Sequence, residues 1–213
     1  MHGEFYRNYG KRIFDLSLCS LGLVLISPVL LIIALVIKLY DSGPVFFIQI
    51  RVGKDFGKFE FVKFRTMIPI QKEGGPLVTS AVDHRITAVG RLLRRFKLDE
   101  LPQLYNVLKG DMSLVGPRPE VPKYVALFEE DYKDILKIRP GITDYAAIKF
   151  RNEEEVMKGY PDPEVGYLRD VLPQKIVLYK KYVHDLALGV DIKLVFSTLL
   201  AIVSFGKDSR RIL

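Results

Sequence analysis

Between Leu16 and Ile37 the chain runs for 22 residues without a formal charge, bounded by Lys11, Arg12 and Asp15 before and Lys38 after. As a straight helix this stretch would reach about 33 Å, enough to cross a hydrocarbon core about 30 Å thick. It exceeds the roughly 7–15 apolar residues of a signal peptide, and no small-x-small cleavage site follows it. The segment therefore reads as a permanent membrane element. Ser27-Pro28 divides it into halves of about 15–18 Å. Pro28 removes a helical donor and biases Ser27 away from helical geometry, so a bend there is physically natural. The residues by themselves favour a straight or kinked span, because membrane helices tolerate proline. A re-entrant hairpin is the alternative, and basic residues at both ends fit it by keeping both ends cytoplasmic.

The remainder is expected to fold as a domain. Apolar residues make up 49% of the chain and charged residues 27%, which excludes disorder. The single cysteine, Cys19, excludes an internal disulfide or a cysteine-based zinc site. Phenylalanine-rich stretches at Pro44–Ile50 and Phe59–Thr66 read as two strands, joined through Gly53 and Gly57. Gly74-Gly75-Pro76 reads as a loop. Helical patterns follow at Ala88–Lys97, Leu101–Lys109, Val121–Lys137, Asn152–Lys158 and Leu172–Leu188. Gly110 marks a helix stop. The 13-residue apolar stretch Leu194–Gly206 is too short for a comfortable span. It fits a core helix or an amphipathic helix on the bilayer surface, with Lys207, Arg210 and Arg211 beyond it. The expected class is α+β, mostly helical: a membrane anchor over 1–40, a catalytic domain over 41–185 and an interfacial helix with a basic tail over 186–213. The net charge of +7 is assigned to anionic lipid rather than to nucleic acid.

The window His84–Leu98 carries Arg85, Arg91, Arg94, Arg95 and Lys97 and no acid. Arg91 and Arg94/Arg95 share one helix face, leaving Leu92, Leu93 and Phe96 for the core. Asp99-Glu100 follows at once. Arginines that neutralise phosphate oxygens, beside carboxylates that can ligate a hard cation or act as nucleophile, suit a magnesium-dependent phosphoryl site. Pattern alone favours a plainer role, with Asp99 as N-cap of the helix beginning at Leu101 and Glu100 as a first-turn acid. Arg118, between Pro117 and Pro119, is presented from a stiff loop, either to phosphate or simply to solvent.

Together these segments resemble the bacterial sugar transferases, specifically the small monotopic phosphoglycosyl transferases. The resemblance is carried by Lys11-Arg12-Ile13-Phe14-Asp15, Ser27-Pro28, Pro44-Val45-Phe46-Phe47, Lys63-Phe64-Arg65-Thr66, Leu98-Asp99-Glu100-Leu101-Pro102-Gln103, Asn106-Val107-Leu108-Lys109-Gly110-Asp111, Gly116-Pro117-Arg118-Pro119 and Arg139-Pro140-Gly141-Ile142-Thr143. It implies a re-entrant helix hinged at Ser27-Pro28 on the cytoplasmic face of the bacterial cell membrane. It also implies a catalytic Asp99–Glu100 dyad with Mg²⁺ bound there. Asp99 would attack the β-phosphate of a UDP-sugar, release UMP and pass the sugar phosphate to polyprenol phosphate. Arg118, Arg94, Arg65, Lys63 and Arg151 are the matching candidates for substrate contact. The rivals are a non-catalytic adaptor for anionic lipid and a magnesium-dependent phosphatase or pyrophosphatase. One departure stands out: relatives often read Gly-Trp-Ala-Gln where this chain has Asp144-Tyr145-Ala146-Ala147.

Overall fold

A computed structural model of the chain describes residues 5–68, 78 and 83–203. The Gly74-Gly75-Pro76 loop, the end of the Leu194–Gly206 stretch and the basic residues Lys207, Arg210 and Arg211 lie outside these residues. After a π-helical turn at Tyr6–Gly10 comes the long helix α1, Lys11–Asp41, with Pro28 inside it. It is long and apolar enough to cross a membrane. Helical geometry continues through Ser27-Pro28, so the hairpin that the resemblance implies is not seen as two separate helices. The reason is local. Pro28 has no N–H to give the carbonyl of Val24, four residues back, and the Ser27 hydroxyl donates to that same carbonyl at 3.0 Å.

Both ends of α1 are fastened to the rest of the chain. Near its start, Lys11 pairs with Asp191 at 2.6 Å, and Arg12 donates to the carbonyls of Val107 and Leu108. The Asp15 carboxylate accepts from the Ser113 hydroxyl and the Leu114 N–H, both at 3.0 Å. Near its end, Ile33 and Ile37 pack with Phe64 and Leu93, and Asp41 holds Arg65. Between these anchors Val24 and Leu25 are exposed.

The expected strands are β1, Phe46–Val52, and β2, Lys58–Phe64, paired antiparallel with Phe47 opposite Lys63. The free edge of β2 is covered by a side chain: Asn106 accepts from the Val62 N–H at 3.1 Å and donates to the Glu60 carbonyl at 2.6 Å. Helices α2, Ala88–Arg95, and α3, Gln103–Lys109, follow, and Gly110 ends α3 in the left-handed conformation (φ 98°) as expected. On α2, Leu93 is buried but Leu92 is exposed, against expectation, because Leu92 falls on the outer side of the turn. A short strand β3, Ser113–Val115, pairs in parallel with β4, Gly141–Thr143. The single helix expected over Val121–Lys137 is two, α4 at Pro122–Leu127 and α5 at Glu129–Ile135, separated at Phe128 (φ −126°, ψ 35°). Next come α6, Tyr145–Lys149, α7, Glu153–Met157, α8, Pro163–Gly166, and α9, Leu172–Asp185. The last helix is α10, Leu188–Val203. The main core gathers Tyr132, Met157, Leu172 and Tyr179.

Candidate active site

Asp99 and Glu100 lie in a 3₁₀ turn, Leu98–Glu100, entered through Lys97 in the left-handed conformation (φ 56°). Helix α3 begins only at Gln103, its N-cap is Pro102, and no side chain caps it. Asp99 is therefore not the helix cap that its position suggested. It is 5% exposed, and its Oδ1 is buried with no hydrogen-bond partner among the described residues. A buried carboxylate oxygen left unbonded costs about 1–3 kcal/mol or more, which points to a role other than holding the fold.

Glu100 is placed quite differently. Arg118 donates to its two oxygens at 3.0 and 2.7 Å in a bidentate pair. The Arg118 loop is itself held between the short parallel strands: Gly116 N–H donates to Thr143 O and Gly141 N–H to Pro117 O, both at 2.9 Å. The approach is so close that a Cβ on Gly141 would sit 2.0 Å from the Gly116 nitrogen. Thus Arg118 is presented from a stiff loop, but towards Glu100.

The two carboxylates are pushed apart in acidity. Burial raises the pKa of Asp99, and the charge of Glu100 raises it further, against Lys63, Lys97 and Arg94. Burial would raise Glu100 too, but Arg118 and Lys97 overcome it and hold it well below the usual range. Lys63 reaches over the rings of Phe47 and Phe61, 5.8 and 5.9 Å from their centroids. Burial pushes its ammonium down to about 8, although Asp99 and Glu100 oppose this. Pairs of groups with such divergent environments mark functional sites more often than scaffolds.

The turn forms part of the wall of a cleft of about 1170 Å³, lined also by Lys63, Arg94, Arg118 and Arg151. Arg94 donates to the Thr66 hydroxyl and to Glu154, each at 2.8 Å. Of the catalytic and substrate-contact residues expected from sequence, Arg65 alone is not brought to this cleft. Its guanidinium is buried against Asp41 and the Pro44 carbonyl, where it joins the end of α1 to the hairpin. The cleft also holds residues that sequence did not single out: Arg51 with Glu120 at 3.3 Å, and Lys175, which is ion-paired with Glu153. Strand alternation carried a signal for Arg51, which points to the same face as Phe47 and is opposite Phe59. Nothing local marked Glu120 or Lys175.

Among the described residues no group of three or more His, Cys, Asp or Glu side chains could hold a metal. A magnesium ion bound through one or two carboxylates plus substrate phosphates does not need one. The unpartnered oxygen of Asp99 fits that donor set, whereas Glu100 would have to share its oxygens with Arg118.

A family model described as bacterial sugar transferase matches residues 6–205. The chain belongs to the bacterial sugar transferase family. Among its relatives in this family is the undecaprenyl-phosphate glucose phosphotransferase of Komagataeibacter xylinus, 40% identical over 196 residues, covering 89% of this chain and 35% of that protein. The UDP-N-acetylgalactosamine-undecaprenyl-phosphate N-acetylgalactosaminephosphotransferase of Aeromonas hydrophila is 36% identical over 204 residues, covering 92% and 44%. The UDP-glucose:undecaprenyl-phosphate glucose-1-phosphate transferase of Escherichia coli is 38% identical over 199 residues, covering 89% and 39%. The chain thus spans less than half the length of these sugar transferases.

Proposed function

We propose that the protein transfers a sugar-1-phosphate from a UDP-sugar to a polyprenol phosphate such as undecaprenyl phosphate, releasing UMP. The observation that carries this is the pairing of a buried Asp99 oxygen that has no partner with a neighbouring Glu100 locked by Arg118. Relatives named for glucose and N-acetylgalactosamine donors support a UDP-linked hexose or N-acetylhexosamine.

In this mechanism an Asp99 oxygen attacks the β-phosphorus of the donor. An aspartyl O–P bond forms, the anhydride bond to the α-phosphate breaks, and UMP leaves with those electrons. An oxygen of the acceptor phosphate then attacks the same phosphorus, and Asp99 is released as carboxylate. Glu100 keeps the Arg118 guanidinium in place, and Lys63 and Arg94 lie within the same cleft to meet phosphate charge. Asp99, with Glu100 beside it, would hold Mg²⁺, which when bound withdraws charge from the diphosphate. Raising the pKa of Asp99 makes it a more basic nucleophile, while Glu100 stays ionised.

We read α1 as a bent re-entrant helix, with Pro28 at its deepest point and both ends on the cytoplasmic face of the cell membrane. The support is that Asp15 and Cys19 near one end and Ile33, Ile37 and Asp41 near the other all pack on one domain. A rod of 31 residues, about 46 Å long, crossing a bilayer would separate those ends. Accessibility of single cysteines placed before Lys11 and after Asp41 tests this. Labelling of the two from opposite sides would overturn it.

The activity is tested by UMP release from a panel of UDP-sugars with magnesium, with and without undecaprenyl phosphate. Lipid-dependent turnover that is lost in Asp99→Asn is the expected result. Release of inorganic phosphate, or continuous donor hydrolysis without lipid, would instead indicate a phosphatase or pyrophosphatase. No release with any donor would leave the lipid adaptor.

A further inference from the structure

The cleft that holds Asp99 is not polar throughout. Its wall also includes Leu18 of α1, Leu104, Ile142, and Val195, Leu199 and Ile202 of α10. Two helices with exposed apolar faces therefore contribute side chains to the same cavity as the reactive carboxylate.

The placement of α10 follows from its sequence. Asp191, Leu194, Thr198 and Ala201 recur at helical spacing and form its inner stripe. Asp191 is fully buried and bonded to Tyr6, Lys11 and Tyr182, while Thr198 meets Thr143 of β4 at 2.6 Å. The helix is thus fixed against α1 and β4 along its length. Ile192, Phe196 and Leu200 form an exposed outer stripe, and Val195 and Ile202 lie on the flank turned to the cleft. Leu199, 56% exposed, stands at the border of the two surfaces. On α1, Phe14 packs in the cluster that includes Leu194 and Val195, and Leu18, one turn further, lines the cleft. Leu18 and Leu199, both exposed, thus line the same cleft as the dyad.

We infer that the part of the cleft between Leu18 of α1 and the Val195–Leu199–Ile202 flank of α10 is the groove that seats the first isoprene units of the acceptor lipid. The inference rests on the transferase reading above and extends it to the lipid's tail. The occupant follows from two facts of the cavity. Its lining includes exposed apolar side chains of α1 and α10, which suit lipid, and it also holds Asp99 with Lys63, Arg94 and Arg118, which suits an anionic headgroup. An ordinary phospholipid would satisfy the apolar part but has no phosphate monoester to carry to Asp99. Seating the proximal isoprenes fixes the acceptor phosphate at the carboxylate without drawing the whole chain from the bilayer.

The test compares undecaprenyl phosphate with dimethylallyl phosphate, whose single isoprene unit makes the fewest contacts with the groove, in nanodiscs of fixed lipid composition. Val195→Trp fills the groove and Leu199→Ser removes its outer lip. The second change is at an exposed position and keeps the experiment readable if the first disturbs folding. Each should lower kcat/KM for undecaprenyl phosphate about tenfold, equivalent to about 1.4 kcal/mol, and lower it much less for dimethylallyl phosphate. Phe196→Ser, on the outer stripe, should leave the ratio of the two acceptors unchanged.

Exchange of labelled UMP into UDP-sugar needs no acceptor and reports on the donor half alone. Its absence in the wild type would overturn the covalent two-step chemistry but not the groove. The groove is read separately, as undecaprenyl phosphate retained by the protein in native mass spectrometry, which should fall in both variants. Equal loss for both acceptors, or unchanged retention in both variants, would overturn the groove.

Discussion

Asp191, in the first turn of α10, is completely buried and receives Tyr6 and Lys11 on one oxygen and Tyr182 on the other, each at 2.6 Å. Asp99 is almost as deeply withdrawn, yet its Oδ1 has no partner among the described residues. Burial is the same in kind and the surroundings are opposite. Around Asp191 a cation and two hydroxyls offset the cost of desolvating a charge, and the result ties α1, α9 and α10 together. Around Asp99 the cost is left standing, next to a second carboxylate whose own partner is fully engaged. A carboxylate that is fully bonded is spent on the fold, whereas one left unbonded in a cleft keeps its lone pairs for a substrate.

The comparison breaks first at Asp99. Asp99→Asn should lower turnover by about 10³-fold or more, since it removes the nucleophile. Its thermal midpoint in detergent should not fall, because the raised pKa of Asp99 means that the fold disfavours its charged form. A large loss of stability would make Asp99 a structural residue after all. Asp191→Asn should do the reverse. It leaves Lys11 buried without its counter-charge, at a cost of about 3–5 kcal/mol, while the donor half-reaction per folded molecule should persist. Chemical denaturation and UMP exchange on the same preparations separate the two effects.

Asp144 lies between these extremes and sharpens the rule. It is fully buried, its Oδ1 accepts from the Ala147 N–H at 2.6 Å to cap α6, and its Oδ2 has no partner. Burial raises its pKa from 3.8 to about 7, against Ala147, Lys175 and Arg118. Between those two pH values the folded chain holds a proton that the unfolded chain has lost, so this residue's contribution to stability declines as pH rises across the window. Asp144→Asn keeps the capping oxygen and removes the titration. Its thermal midpoint should exceed that of the wild type at pH 8 and approach it near pH 4, with about 2–4 °C for each kcal/mol. A gap that did not depend on pH would show that Asp144 is ionised in the fold.

Much of this architecture was legible in the chain because it depends on local chemistry. The alternating phenylalanines gave both strands to within two residues, and Gly110 ended α3 where expected. The Asp-Glu pair beside an arginine-rich helix suited a phosphoryl site, although pattern alone favoured a helix cap and only the family resemblance reversed that. What sequence withheld depends on partners far along the chain. Arg65 looked like a phosphate ligand, but Asp41, 24 positions away, takes it. Glu120 gained its meaning from Arg51, and Lys175 from Glu153. The cap assigned to Asp99 failed because the 3₁₀ turn delays α3 until Gln103, a difference of a few residues that propensity does not resolve. The departure at Asp144 was visible in the sequence, but its role as a helix cap was not.

The smallest test carries the same rule into the membrane helix. Pro28 leaves the Val24 carbonyl without its backbone donor, and the Ser27 hydroxyl replaces it. If satisfaction of that one carbonyl is what lets α1 continue through proline, Ser27→Ala should destabilise the protein by about 1 kcal/mol. The cost should vanish when Pro28→Ala is already present, because that substitution restores the backbone N–H that reaches Val24. A double-mutant cycle by denaturation in detergent measures this coupling directly. Equal cost in both backgrounds would mean that the hydroxyl bond is incidental and that tertiary anchoring at Asp15 and Asp41 alone holds the helix through its proline.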